Sequence, residues 1–408
     1  MTLPDRSGAP AQPSLEPAGD AAPTSVRPAL LMALLLAVVT GPVLWALTLN
    51  DRTDLWAHAR FLQRVLEARV APESILFYFT VALVTGFTTD FATIARGFGV
   101  VLGAALGARY LASIRLMRGW PPAFRAPTIP ELLALVGVSF VFCLPIPGER
   151  WLHPHIPPNY WHNSTSIFVM PFVVLLFAAA MDFAARPSGR GAVVLTLLMA
   201  ANVLSKPSFV LCFVVAFPLF LLIRATPPRA WAWAVLPFVV AGALVGAQYL
   251  YIFRLPSYQA FLDVEPTRIG LGWFHVWSRY VRGDPALVIP LAILNSLALP
   301  LAVAIAYPSR FMTDKAIQFC LMLLVAGIGI YAILYEDGPR MMHGNLGWQP
   351  TMCNYLLHAC ALGLFVRLKR ERPRWTRRDV ILAGLFALEI AVGIFYLARL
   401  VAFGRGGV

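Results

Sequence analysis

Apolar runs about as long as a bilayer is thick recur from residue 29 to residue 402, parted by short polar connectors. An α-helix rises about 1.5 Å per residue, so each crossing takes about 20 apolar residues. Hydrocarbon offers no partner to a bare peptide group, and helices are the form that runs of this length take in it. The chain is therefore expected to be all-α, a polytopic integral membrane protein with about 11–13 transmembrane helices. Spans are placed near 29–49, 75–88, 91–114, 131–147, 166–184, 191–204, 208–224, 231–252, 286–306, 316–335, 350–366 and 380–402. Two of these, 75–88 and 191–204, are short enough to be tilted, broken or re-entrant. Charged residues make up 13% of the chain, against about 25% in a soluble domain, which sets a soluble globular fold aside. Residues 1–28 are rich in Pro, Ala, Gly and Ser, lack an apolar stripe and are expected to be disordered. No secretory signal is expected, because the first apolar run starts late and lacks a cleavage site. Residues 29–408 then form one polytopic membrane domain.

The net charge of +13 does not indicate nucleic acid, because the arginines sit in short runs between spans, where the positive-inside rule and anionic lipid put them. The loop Arg367–Arg378 holds seven basic residues and one acid and is expected to be cytoplasmic. The loops Arg115–Arg125, Arg186–Arg190, Arg224–Arg229 and Arg310–Lys315 fall on the same side. The opposite, extracytoplasmic face receives 148–165, 205–207, 253–285 and 336–349. The parity closes if the region between 75 and 114 makes one net crossing, through a half-helix or interfacial piece, which is the favoured reading, or else the Arg115–Arg125 loop breaks the charge rule. No internal repeat is visible. The five cysteines lie in or beside apolar runs with no CxxC pair and read as small membrane residues.

Four polar stretches carry candidate chemistry. In NDRTDLWAHARFLQRVLE, residues 50–67, the apolar positions recur at helical spacing, giving an amphipathic helix at the interface. Asp54 and His58 are four apart and share a face, so the carboxylate can hold the imidazole; a capped surface helix with solvated side chains is the plainer alternative. In HPHIPPNYWHNST, residues 153–165, prolines stiffen the chain. Asn159, Tyr160, Trp161, His162 and Asn163 bring donors, acceptors and flat rings suited to a sugar, although Tyr and Trp also anchor helices at interfaces. A metal held by His153, His155 and His162 lacks a defined ligand spacing. In LSKPS, Lys206 is the only lysine before residue 315; it can meet a phosphate or simply snorkel. In EDGPRMMHGNLGWQP, residues 336–350, Arg340, His343, Asn345 and Trp348 stand among glycines, and Gly344 and Gly347 are expected to let the backbone approach a ligand. The long outer loop 253–285 is aromatic and is expected to hold interfacial helices. Six of the seven histidines fall in loops of one face, which suggests an outward polar site roofed by loops.

With an acid in the first outer loop (Asp54, near Asp51), an amphipathic helix there and polar outer loops on many spans, the chain resembles the type C glycosyltransferases, polytopic membrane enzymes that use polyprenyl-phosphate sugars. The loops Tyr160–Thr165 and His343–Trp348 look like those of bacterial membrane proteins from polysaccharide gene clusters. The resemblance implies transfer of a sugar from a polyprenyl-phosphate-linked donor to a glycan or lipid acceptor in a bacterial inner membrane. Asp54, helped by His58, would be the base; Asn159, Tyr160, His162, Asn163, Lys206, Arg340, His343, Asn345 and Trp348 would bind substrate. There is no DxD pair, and a divalent metal is left open. A polysaccharide polymerase would use Arg268, Arg279 and Arg282 in the long loop. A lipid-linked sugar transporter or flippase would show broken helices and charges inside spans, where Glu389 is the one acid near a centre.

Overall fold

A computed structural model describes residues 26–120, 127–152, 154–262, 268–338 and 341–404. The chain is a multi-pass, all-α membrane protein whose described helices form one bundle. The expected disordered tail lies almost wholly outside the described residues.

The first helix, α1 (Arg27–Leu49), runs antiparallel to α4 (Phe91–Met117). Gly99, Gly103 and Gly107 of α4 face Gly41, Ala37 and Ala33 of α1, so a Cβ at Gly103 would stand 2.8 Å from the Ala37 carbonyl oxygen. Small residues every fourth position let two apolar helices pack closely where lipid supplies no hydrophobic drive. Between them lie the amphipathic α2 (Asp54–Ala68), capped by the Thr53 hydroxyl on the Trp56 amide, and the ten-residue α3 (Ile75–Val84). α3 leans on the first half of α4, with Phe77 5.3 Å from both Phe98 and Phe168. It does not cross. Residues 75–88 are thus not a span, α4 makes the one net crossing, and Arg115 joins the other basic loops.

The helix expected at 131–147 is half built. α5 (Ile129–Val138) stops, and residues 141–146 continue without helix though Val141, Phe142 and Cys143 are buried. Irregular backbone at this depth needs partners from the protein. Asn159 Nδ2 donates to the Val138 and Val141 carbonyls, both at 2.8 Å, and the Phe142 amide donates to the Glu389 carbonyl.

Next come α6 (Ser164–Ala185), α7 (Gly189–Ser205), α8 (Ser208–Ile223) and α9 (Pro228–Arg254), then α10 (Pro256–Leu262), β1 (Arg268–Leu271) and α11 (Trp277–Tyr280). The expected span 286–306 is two helices, α12 (Pro285–Ser296) and α13 (Ala298–Ala306), bent by 66°. α14 (Pro308–Thr313), α15 (Lys315–Ile333), β2 (Leu334–Asp337), α16 (Trp348–Glu371) and α17 (Arg377–Phe403) complete the chain. β1 and β2 form an antiparallel ribbon, Arg268 opposite Asp337 and Leu271 opposite Leu334, that clamps the two longest outer loops together. The short helices of the 253–285 loop were expected; the ribbon was not.

Seven helices are long and apolar enough to span, and the bent pair adds an eighth. α7, α8, and α5 with its extended continuation also carry the chain from end to end, for eleven traverses in all among the described residues. α16 is the central helix: nearly every side chain from Trp348 to Phe365 is buried. Phe319 of α15 stacks on Phe177 of α6 and Phe220 of α8 beside it.

A polar row crosses this core. Asn354 Nδ2 donates to the Ile156 and Ser296 carbonyls at 2.7 and 2.8 Å, and Asn354 Oδ1 lies 2.9 Å from His358 Nδ1. His358 Nε2 stands 3.7 Å from Glu389 Oε2, and Glu389 Oε1 accepts the Leu299 amide at the α12–α13 bend. Ser296 Oγ takes the Ile156 amide. The backbone groups released by the bend therefore find side-chain partners.

Candidate functional site

At the end of the bundle opposite the basic loops lies a small open cleft of ≈ 50 Å³. Asp54 enters from the first turn of α2, His155, Tyr160 and His162 from the 148–163 loop, and His343, Gly344, Gly347 and Trp348 from the loop before α16. Leu152, Tyr280, Tyr331 and Met342 close the remaining wall. Six histidines were expected on this face; three of them line one cleft.

Asp54 and His58 share a helical face, as their spacing requires, yet each has a different partner. Asp54 Oδ2 faces His162 Nε2 at 3.8 Å, beyond hydrogen-bond distance. His58 Nδ1 makes a short hydrogen bond to the Tyr78 hydroxyl of α3. Burial drives His58 down to about 4, against a smaller upward pull from Asp54. At neutral pH it is therefore a neutral imidazole. His162 is held from its other side, where Nδ1 lies 2.9 Å from the Tyr396 hydroxyl of α17.

Tyr160, His162 and Trp348 form an aromatic corner. The Tyr160 and Trp348 centroids are 4.6 Å apart, and the His162 ring is 5.4 Å from Tyr160 and 5.9 Å from Trp348. Thr351 Oγ1 lies 3.2 Å from the Tyr160 hydroxyl, and burial pushes that phenol up, so it stays protonated. Lys206, the C-cap of α7, places Nζ 4.5 Å from the Trp348 ring centroid and donates to Asn163 Oδ1 (3.2 Å) and Thr165 Oγ1 (3.0 Å). It backs the corner rather than lining the cleft. A cation over an indole face is worth about 0.5–2 kcal/mol.

The loop 153–165 divides into two sets. Tyr160 and His162 face the cleft, whereas Asn159 is spent on the broken end of α5 and accepts from Arg109 Nη1 at 2.9 Å. Asn163 caps α6 through the Ser166 amide and ties down Lys206. His155 lines the cleft edge with its ring against the Leu144 and Trp151 carbonyls, and burial pulls it down to about 4. His153 and Arg340 lie outside the described residues.

In the second loop Asn345 donates to Glu336 Oε2 at 2.7 Å, away from the cleft. Gly344 and Gly347 line the cleft, and both also bring backbone close to the protein's own rings. Gly344 has φ +60°, and a Cβ there would lie 2.8 Å from the Tyr280 hydroxyl, which itself donates to the Met342 carbonyl. At Gly347 a Cβ would meet the Tyr331 ring at 3.1 Å. Arg279 lies beside His275, Arg268 is on the ribbon, and neither these nor Arg282 lines the cleft.

Among the described residues no three His, Cys, Asp or Glu side chains converge as a ligand set, and His153, one of the three histidines considered for a metal, lies outside them. The sequence reading missed Tyr78, Tyr331 and Tyr396. Each is a tyrosine in or beside an apolar helix, a placement that reads as interfacial anchoring. No protein-family model, no curated protein and no solved structure matches the chain.

Proposed function

We propose that the chain is a membrane glycosyltransferase, moving a sugar from a polyprenyl-phosphate-linked donor to a glycan or lipid acceptor at the extracytoplasmic face of a bacterial inner membrane. The observation that carries this reading is the meeting of Asp54 with His162 in a cleft walled by Tyr160 and Trp348, at the end away from the basic loops. Carboxylate, imidazole and flat aromatic faces suit a sugar ring and a reacting hydroxyl.

In this reading the acceptor hydroxyl gives its proton to Asp54 as its oxygen bonds to the anomeric carbon. The bond from that carbon to the phosphate oxygen breaks, and its electron pair leaves with the prenyl phosphate. Lys206, behind Trp348, supplies a positive field for that charge. A positioned base contributes about 10²–10⁴-fold. Membranes carrying Asp54→Ala should incorporate labelled sugar from a lipid-linked donor roughly 100-fold more slowly than wild type. Full incorporation by the variant would overturn the assignment.

One set of observations favours a lipid-linked sugar transporter as second reading: the bend between α12 and α13, the unwound segment after α5, and the buried His358–Glu389 pair. A transporter would move labelled lipid-linked sugar across vesicles without joining it to an acceptor, and the same vesicles report both outcomes. The polymerase reading gains nothing from Arg268, Arg279 and Arg282, which stand outside the cleft.

A further inference from the structure

The ribbon of β1 and β2 grows out of a membrane helix. α15 is long and apolar enough to span, and its last residue, Ile333, leads straight into β2 at Leu334. Its 19 residues rise about 29 Å, the depth of a bilayer's hydrocarbon core. Beyond the ribbon's own pairs the bonding continues onto the helix end: the Gly272 amide donates to the Ile333 carbonyl at 2.9 Å and the Phe274 amide to the Ala332 carbonyl at 2.6 Å. The chain after β1 therefore passes the last turn of a span, at the level where hydrocarbon gives way to water.

Side chains alternate across an extended strand. From 269 to 273 the alternation sets Ile269, Leu271 and Trp273 on one face and Gly270 and Gly272 on the other. The glycine face is closed. A Cβ at Gly270 would lie 2.5 Å from the Tyr335 ring and one at Gly272 3.2 Å from it, and that ring stacks on His275 at 4.2 Å. The strand thus cannot turn over to bury its apolar side. Ile269, Leu271 and Trp273 stay 46%, 76% and 78% exposed. An open apolar face of this kind marks a lipid or a protein partner.

The order of polarity along the ribbon chooses between the two. Leu271 pairs with Leu334 beside the helix end, and Arg268 pairs with Asp337 at the far tip, about 10 Å farther along the strand. An apolar pair next to the span and a charged pair away from it follow the change from acyl chains to head groups. Trp273, beside the end of α15, is the residue type that gathers at this boundary. We propose that Ile269, Leu271 and Trp273 seat the ribbon in the bilayer leaflet at the cleft end, with the Arg268–Asp337 tip among the head groups. The ribbon also carries the roof of the cleft, since the loop after β2 holds His343, Gly344 and Gly347 and Asn345 ties back to Glu336 of β2. The seat is independent of the chemistry in the cleft.

The five native cysteines are buried, so Leu271→Cys, Trp273→Cys and Asp337→Cys can each carry one fluorophore on the full chain. Each is reconstituted in phosphatidylcholine–phosphatidylglycerol vesicles, after its melting temperature in detergent has been matched to wild type. Fluorophores at Leu271→Cys and Trp273→Cys are expected to lose emission to phospholipid spin-labelled high on the acyl chain and to keep it with iodide on both sides of the membrane. The fluorophore at Asp337→Cys is expected to do the reverse. Two sites on the apolar face keep the test decisive where one variant folds poorly. Quenching of the apolar-face fluorophores by iodide and not by lipid would place that face in water and overturn the proposal. Protection from both quenchers would mean that protein covers the face, a second copy or another chain, and would overturn it too.

Discussion

At the basic end of the bundle Arg367 Nη2 lies 2.6 Å from Asp314 Oδ2 and Lys369 Nζ lies 2.8 Å from Asp379 Oδ2; at the other end Asp54 and His162 stand 3.8 Å apart across an open cleft. The basic-end acids are saturated. Asp314 also caps α15 through the Ala316 and Ile317 amides, and Asp379 takes the Thr376 amide and hydroxyl and makes a short bond with Tyr307. Such charges staple helix ends together. At the cleft the side chains are held by other groups, Tyr396 on His162 and Thr53 capping α2 ahead of Asp54, so that one face of each remains turned to the opening. The same residue types hold the fold at one end and line an open cleft at the other.

The largest expected effect tests the scaffold that joins the two ends. Gly393→Ala would drive a methyl into the Phe140 carbonyl and should cost about 3 kcal/mol or more, seen as a much lowered melting temperature in detergent. Gly384 of the same helix has open space around its Cβ position, so Gly384→Ala should melt like wild type. Equal melting of the two variants would remove α17 from the account of how Tyr396 is placed.

Next in size is a basic-end staple. Asp379→Ala strips the N3 half of the Thr376–Asp379 capping box, the Lys369 pair and the Tyr307 contact, and should cost roughly 2 kcal/mol. A melting temperature within error of wild type would mean that these ion pairs are ornamental.

A smaller effect comes from acid at the cleft. His155 titrates near its ordinary value of 6.5 when unfolded and about 4 when folded, so the unfolded chain binds the extra proton first. Its contribution is fully present above about pH 6.5 and is lost as the pH falls toward 4. His58 acts in the same direction, with less weight because it is only partly buried. Melting temperatures between pH 7.5 and 4.5 should fall less steeply in His155→Gln than in wild type. Parallel slopes would take His155 out of the buried cleft edge.

Hydropathy alone made the spans legible, since length and apolarity are local properties. It could not show that the run ending in Leu144-Pro145-Ile146-Pro147 unwinds after Val138, because an apolar stretch reads alike as helix or extended chain until its partners, Asn159 and Glu389, arrive from elsewhere in the sequence. The parity conflict, by contrast, did point to its own solution: a ten-residue α3 that leans on α4 without crossing. At the cleft, Asp54, Tyr160, His162, His343 and Trp348 were legible as polar or aromatic residues crowded into outer loops. Their pairing was not. Spacing of four put Asp54 with His58, whereas the fold gives His58 to Tyr78 and turns Asp54 to a histidine 108 positions on, at the end of the 148–163 loop. Asn159 and Asn163 looked like ligand contacts for the reason they are useful inside: an amide in an irregular loop can satisfy backbone that a helix has released.

The most direct measurement compares the two ends within one assay. Asp54→Asn and Asp379→Asn would be reconstituted in matched vesicles and scored together for melting temperature and for labelled-sugar transfer per folded molecule. The account predicts that Asp54→Asn melts like wild type and loses transfer by about 100-fold, while Asp379→Asn melts lower and transfers normally per folded molecule. Full transfer by Asp54→Asn would contradict it.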